Sequence, residues 1–576
     1  MSLRHTLHTL ARGSLRPPDN DSAFLLDVHR RAVPTERMAR YDDSYEVDLA
    51  VVGAGAGGSV LAQRLARQGW KVVVLDAGPF WDPDADWVSD EAGSHHIYWT
   101  DPRVIGGTDP VELGKNNSGR GVGGSMIHYA GYAPRFHPSD FEVRTRDGVG
   151  EDWPISYWDL KAEYERVEVE LPVAGEPWPW GDPHRYPHSP HPIAGGAEMA
   201  IAGARKLGIE TRVGPVAIAN GAFGNRPHCI YRGFCLQGCK VNAKASPLVT
   251  HIPDAIEHGV EFRGECMVAQ VELDQSSGRV TGVRYFDSDG TERLQRAAAV
   301  AVCGYSIESP RLLLNSTSRR FPHGIGNSND QVGRCVMVQG APQVAGRFPM
   351  ELRMYKAPPP EFSSEQFYET DETRGFARGF AIQTVGPLPI EWAQHVQAAG
   401  HWGHALREYM RDYNHWYTLG CLSELLPLPE NRVTLSQDVS DRHGLPVARM
   451  DYSQCENDRK NIAFAKQTLR DILNAADAQD ILEIDRYAHL VGGCRMGSDA
   501  ERSVVNADHR VWDVPNLYVC DGSVMPTQGS ANPALTIMAL ASRLARRLGA
   551  KQAGAGSGAT AAARAGAGAG WSPTAN

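Results

Sequence analysis

Short apolar runs broken by glycine turns set the pattern of the chain from about residue 46. The segment EVDLAVVGAGAGGSVLAQRLARQGWKVVVLDAG has an uninterrupted apolar run, a glycine turn, apolar positions spaced three and four apart, and a second apolar run. That order reads as strand, tight turn, helix and strand, and strands that are apolar throughout are those covered on both faces of a parallel sheet. The pattern predicts the first βαβ unit of a doubly wound sheet. From about Trp153 to Pro192 the chain turns rich in Trp and Pro, with one helical piece, DLKAEYERVEVEL, and leaves that sheet. Between about Val260 and Asn315 short strands with glycine turns lead to a buried strand and helix in AAAVAVCGYSIESPRLLLNS, and the sheet resumes. Residues 331–480 mix strand-like pieces with long aromatic segments such as EWAQHVQAAGHWGHALREYMRDYNHWY, which suits a domain that covers substrate. A last glycine-rich stretch begins at YAHLVGGCRMG and ends in the helix TIMALASRLARRL.

These shifts mark a doubly wound dinucleotide-binding domain that the chain leaves and rejoins, and a second, substrate-covering domain in the stretches between. The first is expected over residues 45–150, 194–330 and 481–550, the second over 151–193 and 331–480. Residues 1–44 are expected to be an extension packed on the body, through the amphipathic stretch FLLDVHRRAV. Residues 551–576 are Gly/Ala/Ser repetition with too little apolar surface to offset the entropy of ordering, and are expected to be disordered.

Charge narrows the list of partners. With 58 Lys and Arg against 68 Asp and Glu, the net charge of −10 disfavours a surface that tracks phosphates, so no nucleic-acid partner is expected. No run reaches the ~18 consecutive apolar residues of a membrane span, so no integral membrane segment is expected. The first residues are basic but lack the apolar core of a secretory signal, which predicts a cytoplasmic start, unless a partner subunit carries an export signal for both. The 10 cysteines in so long a chain do not fit a disulfide scaffold.

Gly53, Gly55 and Gly58 form GxGxxG directly after the first strand. Gly53 makes the turn, Gly55 lets the backbone approach a pyrophosphate, and Gly58 permits close packing of helix on strand, with the helix N-terminus facing the negative charge. Asp76 ends the second strand, where a carboxylate accepts from ribose hydroxyls and repels a 2′-phosphate, so NADP is disfavoured. This unit leaves NAD and FAD both open.

Three further segments, GRGVGGSMIHYAGYAPRF, AVCGYSIESPRLLLNS and HLVGGCRMG with the stretch VVNADHRVWDVPNLYVCDGSVMPTQGSANPALTIMALASRLA, follow in order. Together with the βαβ unit they resemble the glucose–methanol–choline (GMC) oxidoreductase family over about Glu46 to Leu548, and within it the bacterial sugar dehydrogenases and related oxidases. The resemblance implies a Rossmann-like α/β fold with an interleaved α+β substrate-binding domain, FAD as cofactor, and oxidation of an alcohol or sugar to a carbonyl, with oxygen or a quinone or cytochrome taking the electrons. It implies His489 as the base that removes the hydroxyl proton and Asn532 as the group that positions the alcohol, since an amide cannot take a proton at neutral pH. As the residue before Pro533, Asn532 also suits an N-cap. By the same resemblance Gly123, Gly124 and His128 contact the flavin, His128 standing where some members join it covalently and others do not. Asp521 and Gly522 reach its phosphate or ribitol, and Val268 lies against adenine.

Cys229, Cys235 and Cys239 are spaced C-x5-C-x3-C. Some electron-transferring members hold an iron–sulfur cluster on a similar triad, yet four thiolates are usual and the same turn occurs without a cluster. No metal is assigned on this basis. Besides the redox reaction, the resemblance leaves two alternatives, a flavin-bound lyase that uses the His without redox, and an electron-transferring subunit with a cluster on those cysteines. Trp153, Trp158, Trp178, Trp180, Trp402 and Trp416 offer flat faces for a sugar ring, but aromatic residues mostly serve cores and none is assigned to the site.

Overall fold

The computed structural model describes residues 33–82, 85–87, 90–114, 117–221, 223–224 and 226–565, with side chains through 550. Its central element is a five-stranded, all-parallel sheet in the order Leu517–Val519, Val300–Val302, Leu49–Val52, Val72–Leu75 and Glu261–Arg263. All its strands but the edge strand Glu261–Arg263 are buried at every residue, which is why they read as continuous apolar runs. The first strand has later strands on both sides, so the direction of winding reverses there. A crevice opens at its carboxyl end, where doubly wound sheets bind ligands. Helix Ala56–Ala66 leaves that point and packs against the last helix, Ala534–Ala565, and against His251–Glu257. Strands Met267–Leu273, Val280–Phe286 and Glu292–Arg296 form a separate meander.

The second layer is a largely antiparallel sheet in the order Asp480–Ile484, Gln343–Arg347, Trp416–Ser423, Phe380–Val385, Phe362–Ser364 and Arg212–Val213. Met337–Gly340 bridges from it to Tyr487–Val491. A second hydrophobic core lies between this sheet and helix Glu456–Ala475.

Two segments pack differently from their sequence assignment. Residues 151–193 were expected with the substrate domain, yet Trp153, Tyr157, Leu160, Tyr164, Val167 and Trp178 belong to the core of the parallel sheet, and helix Tyr157–Glu170 lies on the last helix. Helix Gly195–Lys206 was expected with the dinucleotide domain, yet Ala197, Ala200 and Ala204 face the second core, packed on Glu456–Ala475. Composition marks where the chain leaves one layer but not which core a helix face finds. At the ends, FLLDVHRRA lies outside the described residues, and Val33 is buried. The last helix continues to Ala565, into the segment expected to be disordered, because alanine is the strongest helix former. Residues 566–576 lie outside the described residues.

Candidate active site

The glycine motif builds the floor of a long cavity at the sheet's crevice. Gly53 has φ +102°, and a Cβ there would stand 2.4 Å from the Cys303 carbonyl oxygen. A Cβ on Gly124, which has φ +60°, would stand 2.6 Å from Gly55 Cα, so the two glycine loops meet backbone to backbone. Gly55 and Gly124 both line the cavity. Gly55 is the N-cap of helix Ala56–Ala66 and supplies no side-chain cap, which leaves the first-turn N–H groups open towards the cavity. Gly58 lies behind the wall, where a Cβ would meet Gly53 O at 2.0 Å; its role is packing. Gly123, expected to contact the cofactor, is also not in the wall. It turns the loop with φ +106° and donates to Ala54 O at 3.0 Å.

Asp76 and Val268 line the cavity. The Asp76 carboxylate accepts from Ala54 N–H and Gly78 N–H, each at 2.9 Å; burial pushes its pKa up, against the pull of these donors. Asp521 and Gly522 line the cavity as well. Asp521 accepts from Tyr305 N–H at 2.8 Å, Ser309 Oγ at 2.5 Å and Ser523 N–H at 2.8 Å, so its carboxylate chiefly ties two helix starts together at the wall. His128 is buried in the wall edge-on to Tyr98, and its Nε2 has no hydrogen-bond partner. Burial, with Lys244 nearby, pulls its pKa down to about 3, so the ring is neutral.

His489 and Asn532 meet in the same wall. In the pairing of Met337–Gly340 with Tyr487–Val491, Val338 faces Leu490 and Gln339 faces Ala488. His489 is therefore the extra residue of a β-bulge, and its φ of +42° is rare for a side-chain-bearing residue. Such strained positions cluster at functional sites, here to aim one side chain. His489 Nδ1 lies 2.7 Å from Gln339 Oε1, and Asn532 Nδ2 lies 3.1 Å from His489 Nε2.

The partners assign the protons. Gln339 Nε2 donates to Gly529 O at 2.6 Å and Ala531 O at 3.0 Å, so both its hydrogens are used and Oε1 must accept from His489 Nδ1–H. The lone pair of the imidazole is then on Nε2, facing Asn532. Burial, then the cation of Arg486, lowers the His489 pKa to about 4. The capping role expected of Asn532 is not taken up, since its Oδ1 is buried without a partner. Gln339 was not found from the sequence; nothing near it in the chain marks it.

Beyond the pair the cavity is bounded by the antiparallel sheet, through Gln343, Gln383 and Leu422, and by Arg486, whose Nη1 lies 3.0 Å from Glu391 Oε1. None of the six tryptophans considered in the sequence lines it; Trp99 does. Cys229, Cys235 and Cys239 line a separate small pocket as free thiols, and burial pushes the first two up to about 11 and about 12. Among the described residues no group of three His, Cys, Asp or Glu side chains is placed to hold a metal ion.

FAD fits the residues present. The glycine cradle excludes any side chain, the uncapped helix start suits a pyrophosphate, and the unpartnered His128 Nε2 and Asn532 Oδ1 lie along one cavity with Asp76 and Val268. Fold and site define a flavin-binding oxidoreductase fold with a histidine–amide pair in the cofactor cavity. Residues 143–338 and 427–541 match the N- and C-terminal sequence models of the GMC oxidoreductases, and residues 51–80 match an NAD(P)-binding Rossmann-like domain. The chain is 32% identical over 543 residues to a 2-methyl-1,2-propanediol dehydrogenase of Mycolicibacterium austroafricanum, covering 86% of this chain and 94% of that one. It is 29% identical to the fructose dehydrogenase large subunit of Gluconobacter japonicus, covering 88% and 98%. The pyridoxine 4-oxidase of Mesorbium loti has the same fold, with TM-score 0.63 at 18% identity over 87% of this chain and 99% of that one. The chain belongs to the GMC oxidoreductase family. Among the described residues no helix is long and apolar enough to cross a membrane.

Proposed function

We propose that the chain oxidises a sugar, glycoside or other alcohol with His489 as the base and Asn532 as the positioning group. The observation that supports this reading is the Nε2 lone pair of His489, fixed by Gln339 and facing the amide of Asn532. In this structure Asn532 Nδ2–H faces the Nε2 lone pair directly at 3.1 Å; a substrate oxygen replaces that bond, accepting from Asn532 Nδ2–H and donating its proton to His489 Nε2. FAD, when bound, supplies the acceptor for the hydride. A buried imidazole with a pKa of about 4 is a poor resting place for a proton, so it takes the hydroxyl proton as the C–H bond breaks, not in advance. The test is anaerobic addition of a panel of alcohols and sugars to the purified flavoprotein: a substrate bleaches the visible flavin band, and lack of bleaching by a compound the enzyme converts points to the lyase. Peroxide formed on readmitting air assigns oxygen as acceptor; turnover only with a quinone or cytochrome assigns those.

The pH dependence follows from the same geometry. His489 must be neutral to act, so kcat/KM should lose activity only below a pKa of about 4 and stay flat from pH 6 to 8. Arg486→Gln should move the acid limb upward, because it removes a cation that opposes the imidazolium. A limb above pH 6 in the parent, or one that Arg486→Gln leaves in place, would overturn this assignment.

A further inference from the structure

The sheet that bounds the far side of the cavity carries a polar notch. Gly420 in strand Trp416–Ser423 pairs directly with Gln343 on one side and with Gln383 on the other. Directly opposed residues of antiparallel strands point to the same face, and strands lie about 4.8 Å apart. The two glutamines therefore flank a position with no side chain, and both line the cavity. Gln343 is only 4% exposed, and its Oε1 is buried without a hydrogen-bond partner. A buried carbonyl in that state calls for a donor from whatever fills the cavity.

We propose that the row Gln343, Gly420 and Gln383 is a specificity subsite for a second, non-reacting hydroxyl, so that the preferred substrates are diols and polyols and not simple alcohols. The proposal rests on the alcohol-oxidising reading above. An O–H group satisfies Gln343 Oε1, and the amide of Gln383 offers a donor and an acceptor across the side-chain-free position 420. A monoalcohol held at His489 and Asn532 leaves Gln343 unpaired, and sites built for a hydroxyl discriminate against ligands without one. Gly420 is not required by the backbone: it lacks a positive φ, and a Cβ would meet Gln343 Cγ at 3.4 Å and Val385 Cγ1 at 3.6 Å. Its replacement narrows the space beside Gln343 Cγ and Val385 Cγ1.

The experiment compares kcat/KM for 1-propanol with 1,2-propanediol, and for cyclohexanol with D-glucose, using the FAD-loaded full chain and a dye acceptor. The hydroxyl-rich member should be preferred by about tenfold or more in at least one pair, and Gln343→Leu should shrink that ratio about tenfold. Gly420→Val, which suits a strand and fills the notch, should shrink it as well. Melting of Gln343→Leu should not fall below the parent, since the substitution removes an unsatisfied buried carbonyl oxygen. No preference in either pair, or variants that lower both members equally, would overturn the subsite while leaving the alcohol chemistry standing. Should no alcohol or sugar bleach the flavin, the reaction assignment has failed and the subsite falls with it.

Discussion

His489→Asn is expected to lower kcat by about 10²–10⁴-fold, the range lost when a positioned general base is removed. Asparagine is the informative replacement. At φ +42° most side chains are strained, and asparagine is among the few that tolerate the left-handed region, so the bulge against Val338 and Gln339 survives. Its amide can still hold a hydroxyl but cannot take the proton. The flavin spectrum of the purified variant should match the parent, because the cradle of Gly53, Gly55 and Gly124 is untouched. Rapid-mixing measurement of flavin bleaching by an alcohol then reads the chemical step alone. Without the base the reactive species is the small alkoxide fraction, so the residual rate should climb about tenfold per pH unit where the parent is flat. A variant that keeps its flavin and bleaches at the parent's rate would remove His489 from the mechanism.

The glycine motif was legible because its requirements are local. A turn, a close backbone approach and a helix packed on its own strand are set by residues within one βαβ unit, and the spacing of Gly53, Gly55 and Gly58 states them directly. His489 and Asn532 could be named only through the resemblance, and the geometry that orients them could not. Gln339 lies 150 residues from His489, and their contact depends on a bulge that exists only once two strands have paired. The same holds for Gln343 and Gln383, which meet across Gly420 through register. The aromatic, proline-rich segment after Trp153 was legible as a departure from the sheet but not as a return to its core, since the destination of Tyr157–Glu170 is decided by the last helix, far along the chain. Gly123 and Gly124 look equivalent in sequence, yet one turns the loop and the other meets Gly55. Local steric demands are visible in the sequence, whereas long-range pairings are not.

Arg378→Met should cost about 3–5 kcal/mol of stability, the loss typical of removing one partner from a buried ionic cluster. The guanidinium is fully buried and donates to three carboxylates: Asp140 through Nη2, Asp147 through Nη1 at 2.9 Å and Glu424 through Nε at 2.7 Å. Methionine approximates its length but leaves those carboxylates facing one another in a dry interior. Burial first, with Glu424 adding to it, lifts Asp140 to about 7 even while Arg378 pulls the other way. The sign with pH follows. A carboxyl whose native pKa lies above its unfolded value gains a proton on folding, so it favours the native state at low pH and stability is lost as pH rises through the native value. Taking the cation away raises the native value further, and the deficit of Arg378→Met against the parent should be wider at pH 8 than at pH 6. Thermal melts at the two pH values measure this; an equal deficit at both would mean that packing, not charge, is what the arginine supplies. The consequence reaches the site. Asp140 O accepts from Thr527 Oγ1 at 2.9 Å, and Gly379 O, next to the arginine, accepts from Ser530 Oγ at 2.8 Å. These two bonds anchor the loop that presents Gly529 O and Ala531 O to Gln339 and carries Asn532. A chain weakened at Arg378 therefore loosens the amide that fixes the His489 tautomer, and kcat should fall even at temperatures where the variant stays folded.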